Sequence, residues 1–164
     1  MDKLDIQKKA VSTFNQTWDY IEKKERTPKE NLEMINLAYQ SKYYWSLVGK
    51  ALNFVRSDWQ VSRVYAESNL LEASLYYAGQ CLENTLRLEL KDFDLFFAYE
   101  ANVRVHHLQQ NLEKRDEFVK LAIGSLESIE KQSDKDYCRE ELEKIMNMWE
   151  KTEFSLFFLW YMGQ

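Results

Sequence analysis

Glu100, Arg104 and His107 stand at spacings of four and three, so on a helix they share one stripe. The same segment carries Ala98, Ala101, Val105 and Leu108 on another stripe, and Phe96, Phe97 and Val103 flank the charges. A helix that is apolar nearly all round is packed on two sides. The Glu and Arg must then either pair inside the protein or line a groove. A guanidinium fork over a carboxylate is a common way to satisfy buried charge, and a structural ion pair is the favoured expectation. The functional alternative is capture of a peptide carboxylate or a small anion. Arg63 poses the same choice. It shares a stripe with Trp59 and Glu67, so it can stack on the first and pair with the second. If the helices that carry Arg63 and Glu100 pack side by side, Trp45, Arg63, Glu100 and Arg104 make an aromatic and charged cluster. With Trp59 and His107, these residues form the candidate ligand or peptide groove.

Other chemistries find no constellation. His106 and His107 are the two histidines, and neighbours on a helix point about 100° apart, so they cannot share a metal. Neither E-x-x-H nor H-x-x-x-H spacing occurs, so no metal site and no cofactor are expected. Cys138 lies in the charged stretch Asp-Tyr-Cys-Arg-Glu, where Arg139 could lower its pKa slightly. No base or orienting group accompanies it, and no catalytic residue is assigned. With Cys81 it reads as one of two reduced thiols rather than half of a disulfide framework.

Composition sets the frame for these residues. The net charge is −5 and the pI near 5.2, with Lys and Arg scattered and never more than two in a row, so a nucleic-acid partner is not expected. No stretch of signal-peptide character opens the chain. The most apolar segment, Phe154 to Met162, has about half the length that a membrane span needs. A cytoplasmic location follows as the default expectation. The chain has 164 residues, which suits one domain over 1–164. Only four Gly and one Pro occur, too few for a protein of strands and hairpin turns, so the fold is expected to be all-α.

Seven helices are predicted. The first covers 3–25, with Ile6, Ala10, Phe14, Trp18 and Ile21 inside and Val11 widening the stripe. Thr27-Pro28-Lys29-Glu30 is a capping box with Pro at the first helical position, opening a helix from Pro28 to about Val48. Leu32, Ile35, Tyr39 and Tyr43 form its predicted inner face, and Gly49 its C-terminal cap. A third helix runs from about 51, or alternatively from Asp58, to Ser68, with Val61, Val64 and Tyr65 inside. Asn69 then tolerates the left-handed turn into a helix over about 70–91, with Ala73, Tyr77, Cys81 and Leu88 inside. Asp92 caps a fifth helix to about Gln110. The sixth ends near Lys131, with Phe118, Ala122, Leu126 and Ile129 inside. Ser133 caps a seventh from Asp134 to about Glu150, and the apolar segment follows.

Helices three with four and five with six look like successive copies of one unit, with a period of about 40 residues against ~34 for a tetratricopeptide repeat. Ala73-Ser-Leu-Tyr-Tyr77 fits the A-x₃-F step of that repeat. The stretches RTPKENLEMINLAYQSKYYWSLVGKALN, SDWQVSRVYAESN and DFDLFFAYEANVRVHHL resemble a group of uncharacterised bacterial proteins of similar length. The likeness covers nearly the whole chain, although Tyr44 and Asn69 stand where that group carries His or Gly. It implies a tetratricopeptide-like fold, an antiparallel helix-hairpin array wound as a right-handed superhelix, and implies no activity. The expected function is therefore a non-enzymatic protein- or peptide-interaction module. The alternatives are a small-molecule or peptide sensor with an enclosed polar pocket, and an enzyme whose residues carry no signature. Eight of the nine residues from Phe154 to Met162 are apolar. This tail is expected to pack into the chain's own groove or across a two-fold axis into a homodimer.

Overall fold

The computed structural model describes the backbone of residues 1–162 and the side chains of residues 1–148. Its elements are α1 (Lys3–Ile21), α2 (Pro28–Val48), α3 (Ala51–Glu67), α4 (Leu71–Arg87), α5 (Asp92–Leu108), α6 (Leu112–Ser125), a 3-10 turn at Leu126–Ser128, and α7 (Gln132–Met162). The fold is all-α, with no strand among the described residues. Consecutive helices pack as hairpins, α1 on α2, α3 on α4 and α5 on α6, and α2 also packs on α3. Backbone contacts divide the chain into two compact units, Met1–Leu90 and Lys91–Gln164.

In the first unit the core is Ile21, Met34, Ile35, Ala38, Val61 and Val64, with Trp18, Tyr39, Tyr65 and Tyr77 packed against it. α1 stops at Ile21 rather than near 25. There Arg26 folds back, and its Nη1 donates to the carbonyls of Tyr20 (3.0 Å) and Lys23 (3.1 Å), supplying the donors that a helix C-terminus lacks. Val11, expected to widen the buried stripe, is exposed. α2 opens on the predicted capping box: Thr27 Oγ1 accepts from the Glu30 amide at 3.2 Å and Glu30 Oε2 from the Thr27 amide at 2.8 Å.

The inner face of α2 is rotated from the expected one. Leu32 and Tyr43 are exposed, while Met34, Ile35, Ala38 and Ser41 are buried. Ala38 and Ser41 are the small residues of this buried face, and Ser41 Oγ donates to the Ala10 carbonyl at 2.9 Å, which ties that face to α1 and leaves Leu32 and Tyr43 outside it. Gly49 is the C-cap of α2 as expected, its N–H donating to the Trp45 carbonyl at 2.6 Å, but at φ −79° it is not left-handed. Its role is space, since a Cβ there would lie 2.6 Å from the Trp45 carbonyl oxygen. α3 begins at Ala51, where Asn53 Oδ1 accepts from the Lys50 amide at 2.9 Å. Asp58, the alternative start, is instead buried mid-helix and paired with Lys42. Ser62 and Ser74 join α3 to α4 reciprocally, each hydroxyl donating to the other's carbonyl at 2.9 Å.

Three helices end the same way. After α3, Asn69 takes φ 56°, Leu70 N–H reaches the Tyr65 carbonyl (2.9 Å), and Asn69 N–H reaches that of Ala66 (3.1 Å). Glu89 with Leu90 after α4, and Gln110 with Asn111 after α5, repeat the pattern at φ 53° and 59°. These are Schellman motifs with a non-glycine residue at the left-handed position.

In the second unit Phe96 and Val103 of α5 pack with Ala122, Leu126, Ile129, Cys138, Leu142 and Ile145. As expected, α5 is buried nearly all round. Asp92 does not cap it, because its backbone is left-handed (φ 54°) and Lys91 holds the extended cap position. α6 closes at Ser125 into the 3-10 turn, which still buries Leu126 and Ile129. α7 starts at Gln132, so Ser133 lies within the helix rather than capping it, and the helix continues past Glu150 to Met162. The expected packing of the Phe154–Met162 side chains lies outside the described residues.

Candidate functional site

The candidate residues separate between the two units. Trp45, Trp59 and Arg63 belong to the first; Glu100, Arg104 and His107 belong to the second. Arg63 makes the expected pair with Glu67, its Nε donating to Oε1 at 2.8 Å. Its guanidinium also lies 5.7 Å from the Trp18 ring centroid, and Trp18 stacks on Trp59 with centroids 5.8 Å apart. Arg26 completes the assembly. Its Nη2 donates to the Glu67 carbonyl and to Oε2, both at 3.2 Å, and its Nε donates to Asn31 Oδ1 at 3.0 Å. Glu67 therefore sits between two guanidinium groups at a junction of three helices, with an indole pair alongside. Trp45 lies elsewhere in the unit. It lines a small cleft of about 190 Å³ with Val11, Phe14, Asn53, Arg56 and Ser57.

In the second unit Arg104 Nη2 donates to Glu100 Oε1 at 2.5 Å, with the Glu100 side chain 1% exposed and that of Arg104 7%. Both share a face of α5 with Phe96, Val103 and the buried His107. Arg104 Nε has no hydrogen-bond partner among the described residues. Burial holds the His107 imidazole below its ordinary pKa, and the Arg115 and Arg104 charges lower it further. His106 stacks nearly parallel on Phe118, 5.5 Å between centroids. It too is held low, by burial first and then by Lys114. Burial pushes the Cys138 thiol up to about 12, with Asp134, Glu141 and Glu100 adding to the effect. That thiol is the opposite of an activated nucleophile, whatever Arg139 contributes. Among the described residues no group of His, Cys, Asp and Glu side chains is placed to hold a metal ion. No described helix is long and apolar enough to cross a membrane.

Two features have no counterpart among the sequence-based expectations. Tyr39, Tyr65 and Tyr77, from three helices, join their hydroxyls: Tyr39 donates to Tyr77 at 2.9 Å and lies 3.0 Å from Tyr65. Burial and these hydrogen bonds hold the Tyr39 phenol well above its ordinary pKa. Lys42 Nζ lies 5.6 Å from the Tyr77 ring centroid. The second feature is a pair of open surfaces on α1. One is an exposed face of that helix alone, past Leu4, Lys8, Val11 and Asn15. The other, about 460 Å³, follows the α1–α2 seam past Tyr20, Glu33, Asn36 and Leu37. Gln16 and Asp19 border both. The signal for the seam was available in the alternation of carboxylate and amide side chains at 33, 36 and 40, but its partner residues on α1 depend on the register of the hairpin.

Comparison with protein-family models, with curated proteins and with solved structures finds no match for this chain.

Proposed function

We propose that the chain is a non-enzymatic protein- or peptide-interaction module. The observation that carries this reading is the α1–α2 face, where an open face of α1 adjoins the α1–α2 seam and exposed Leu4 and Val11 border open hydrogen-bonding side chains. An open surface of this mixed character suits an extended or helical polypeptide better than a small molecule, which calls for an enclosed apolar pocket. The tetratricopeptide-like resemblance and a cytoplasmic setting belong to the same proposal. Elsewhere the charged candidates have structural partners: Arg63 holds Glu67 and Arg104 holds Glu100. The test is selection of a displayed random-peptide library on the immobilised full chain. Enrichment of a peptide family whose binding is lost in Leu4→Asp/Val11→Asp supports the reading. Failure to enrich any peptide, or enrichment indifferent to that variant, overturns it for this face.

Self-association through Phe154–Met162 is a second form of the same proposal, motivated by the eight apolar residues in that stretch of nine. Light scattering on the chain with and without residues 154–164 decides it, and an unchanged monomer mass in both rules it out.

A further inference from the structure

The α1–α2 seam is a groove with one sign of charge. Asp19 lies on α1 and Glu33 on α2, and among the described residues neither carboxylate is paired with a base. Tyr20 OH donates to Glu33 Oε2 at 2.7 Å, which fixes that carboxylate at the groove wall. The field is visible in the phenol itself: its pKa is raised by the hydrogen bond to Glu33, then by burial and by the charges of Glu33, Glu30 and Asp19. Lys23, which lies over the Tyr20 ring 5.2 Å from its centroid, is already engaged, with its Nζ 2.5 Å from Glu30. The rest of the lining is Leu37, half-buried, with the amides of Gln16, Asn36 and Gln40.

Sign excludes several occupants. Phosphate-bearing nucleic acid and anionic lipid would meet two uncompensated carboxylates. A second copy with the two-fold axis running through the seam would set the same carboxylates against themselves. What remains is a chain carrying ammonium or guanidinium groups on aliphatic stems, which can lie along Leu37 while their heads reach Asp19 and Glu33. Asn36 and Gln40 can meanwhile take a peptide backbone, since each amide offers both donor and acceptor.

We propose that the α1–α2 seam is a docking groove for a lysine- or arginine-bearing polypeptide segment, held by Asp19 and Glu33 over Leu37. This rests on the interaction reading above and specifies its partner. The test uses the full chain and three fluorescent peptides of about a dozen residues, identical except that the polar positions are Lys, Glu or Gln. Anisotropy titrations are run at low salt and at about 0.3 M salt, with Asp19→Asn/Glu33→Gln as the comparison protein. Both substitutions keep shape, and the side-chain amide oxygen that replaces the Glu33 carboxylate still accepts from Tyr20, so helicity should be unchanged by circular dichroism. The expected result is binding of the Lys peptide alone, weakened at least about tenfold by the double variant and by salt. Equal Lys-peptide binding by the two proteins overturns the groove assignment. Binding of only the Gln or Glu peptide overturns this inference and leaves the interaction reading standing. Binding of none of them removes both. Spermine that occupies the site as tightly as the peptide overturns the polypeptide commitment in favour of a small polycation.

Discussion

Glu100 has given up nearly all of its hydration, and Arg104 returns a charge-assisted hydrogen bond. Removing the carboxylate leaves the Arg104 charge buried without it: Glu100→Ala should lower the stability seen in urea denaturation by about 3 kcal/mol. Glu100→Leu/Arg104→Met, which removes both charges at similar volume, should recover most of that loss. The pair was legible in the sequence because spacing of four on an apolar helix needs no tertiary knowledge. The wider cluster with Trp45 was not, because it depends on how helices pack, and Trp45 lies beside Phe14 in a cleft that Arg63 does not line. The histidines make a second prediction. Both imidazoles are lowered from the ordinary 6.5, so the folded state binds fewer protons than the unfolded one. Their contribution is flat above about pH 6.5 and turns destabilising as pH falls through that value towards the lowered pKa. Melting temperatures measured from pH 7.5 down to 5 should drop more steeply for the native chain than for His106→Asn/His107→Asn.

Helix endings carry the clearest stored cost at the level of the element. Glu89 and Gln110 hold left-handed backbone at Schellman positions where glycine has no Cβ to crowd the preceding turn. Glu89→Gly and Gln110→Gly should each be neutral to stabilising, by up to about 1 kcal/mol, because relief of that strain outweighs the added freedom of the unfolded chain. Thermal melts showing clear destabilisation would contradict this account. Of the three endings only Asn69 was legible, since Asn advertises left-handed geometry and Glu and Gln do not. The capping box at Thr27 was legible for the converse reason: Thr, Pro and Glu at fixed offsets leave few other structures. The rotated inner face of α2 was not, because Ala38 and Ser41 decide it by being small, and hydrophobic patterning weights size in the opposite direction.

For the whole molecule, the all-α class followed from so few Gly and Pro, but the partition into Met1–Leu90 and Lys91–Gln164 has no marker in composition. The first unit contains its own core, the tyrosine triad and the α1–α2 seam. A fragment of residues 1–90 should therefore be helical and melt cooperatively by circular dichroism. A non-cooperative melt would mean that its core is completed by the rest of the chain. Arg26 adds a constraint of timing. It reaches back to carbonyls at the end of α1, yet its Glu67 partner lies 41 residues further along. During synthesis the first hairpin leaves the ribosome with this clasp still open, and the clasp fastens only once α3 has emerged and docked. We expect the same order when the complete chain refolds, with the clasp closing on the native side of the barrier. Arg26→Ala should therefore leave the refolding rate in stopped-flow experiments nearly unchanged and speed unfolding by most of the stability it loses. Its guanidinium acts as a lock on escape from the folded state rather than a guide into it.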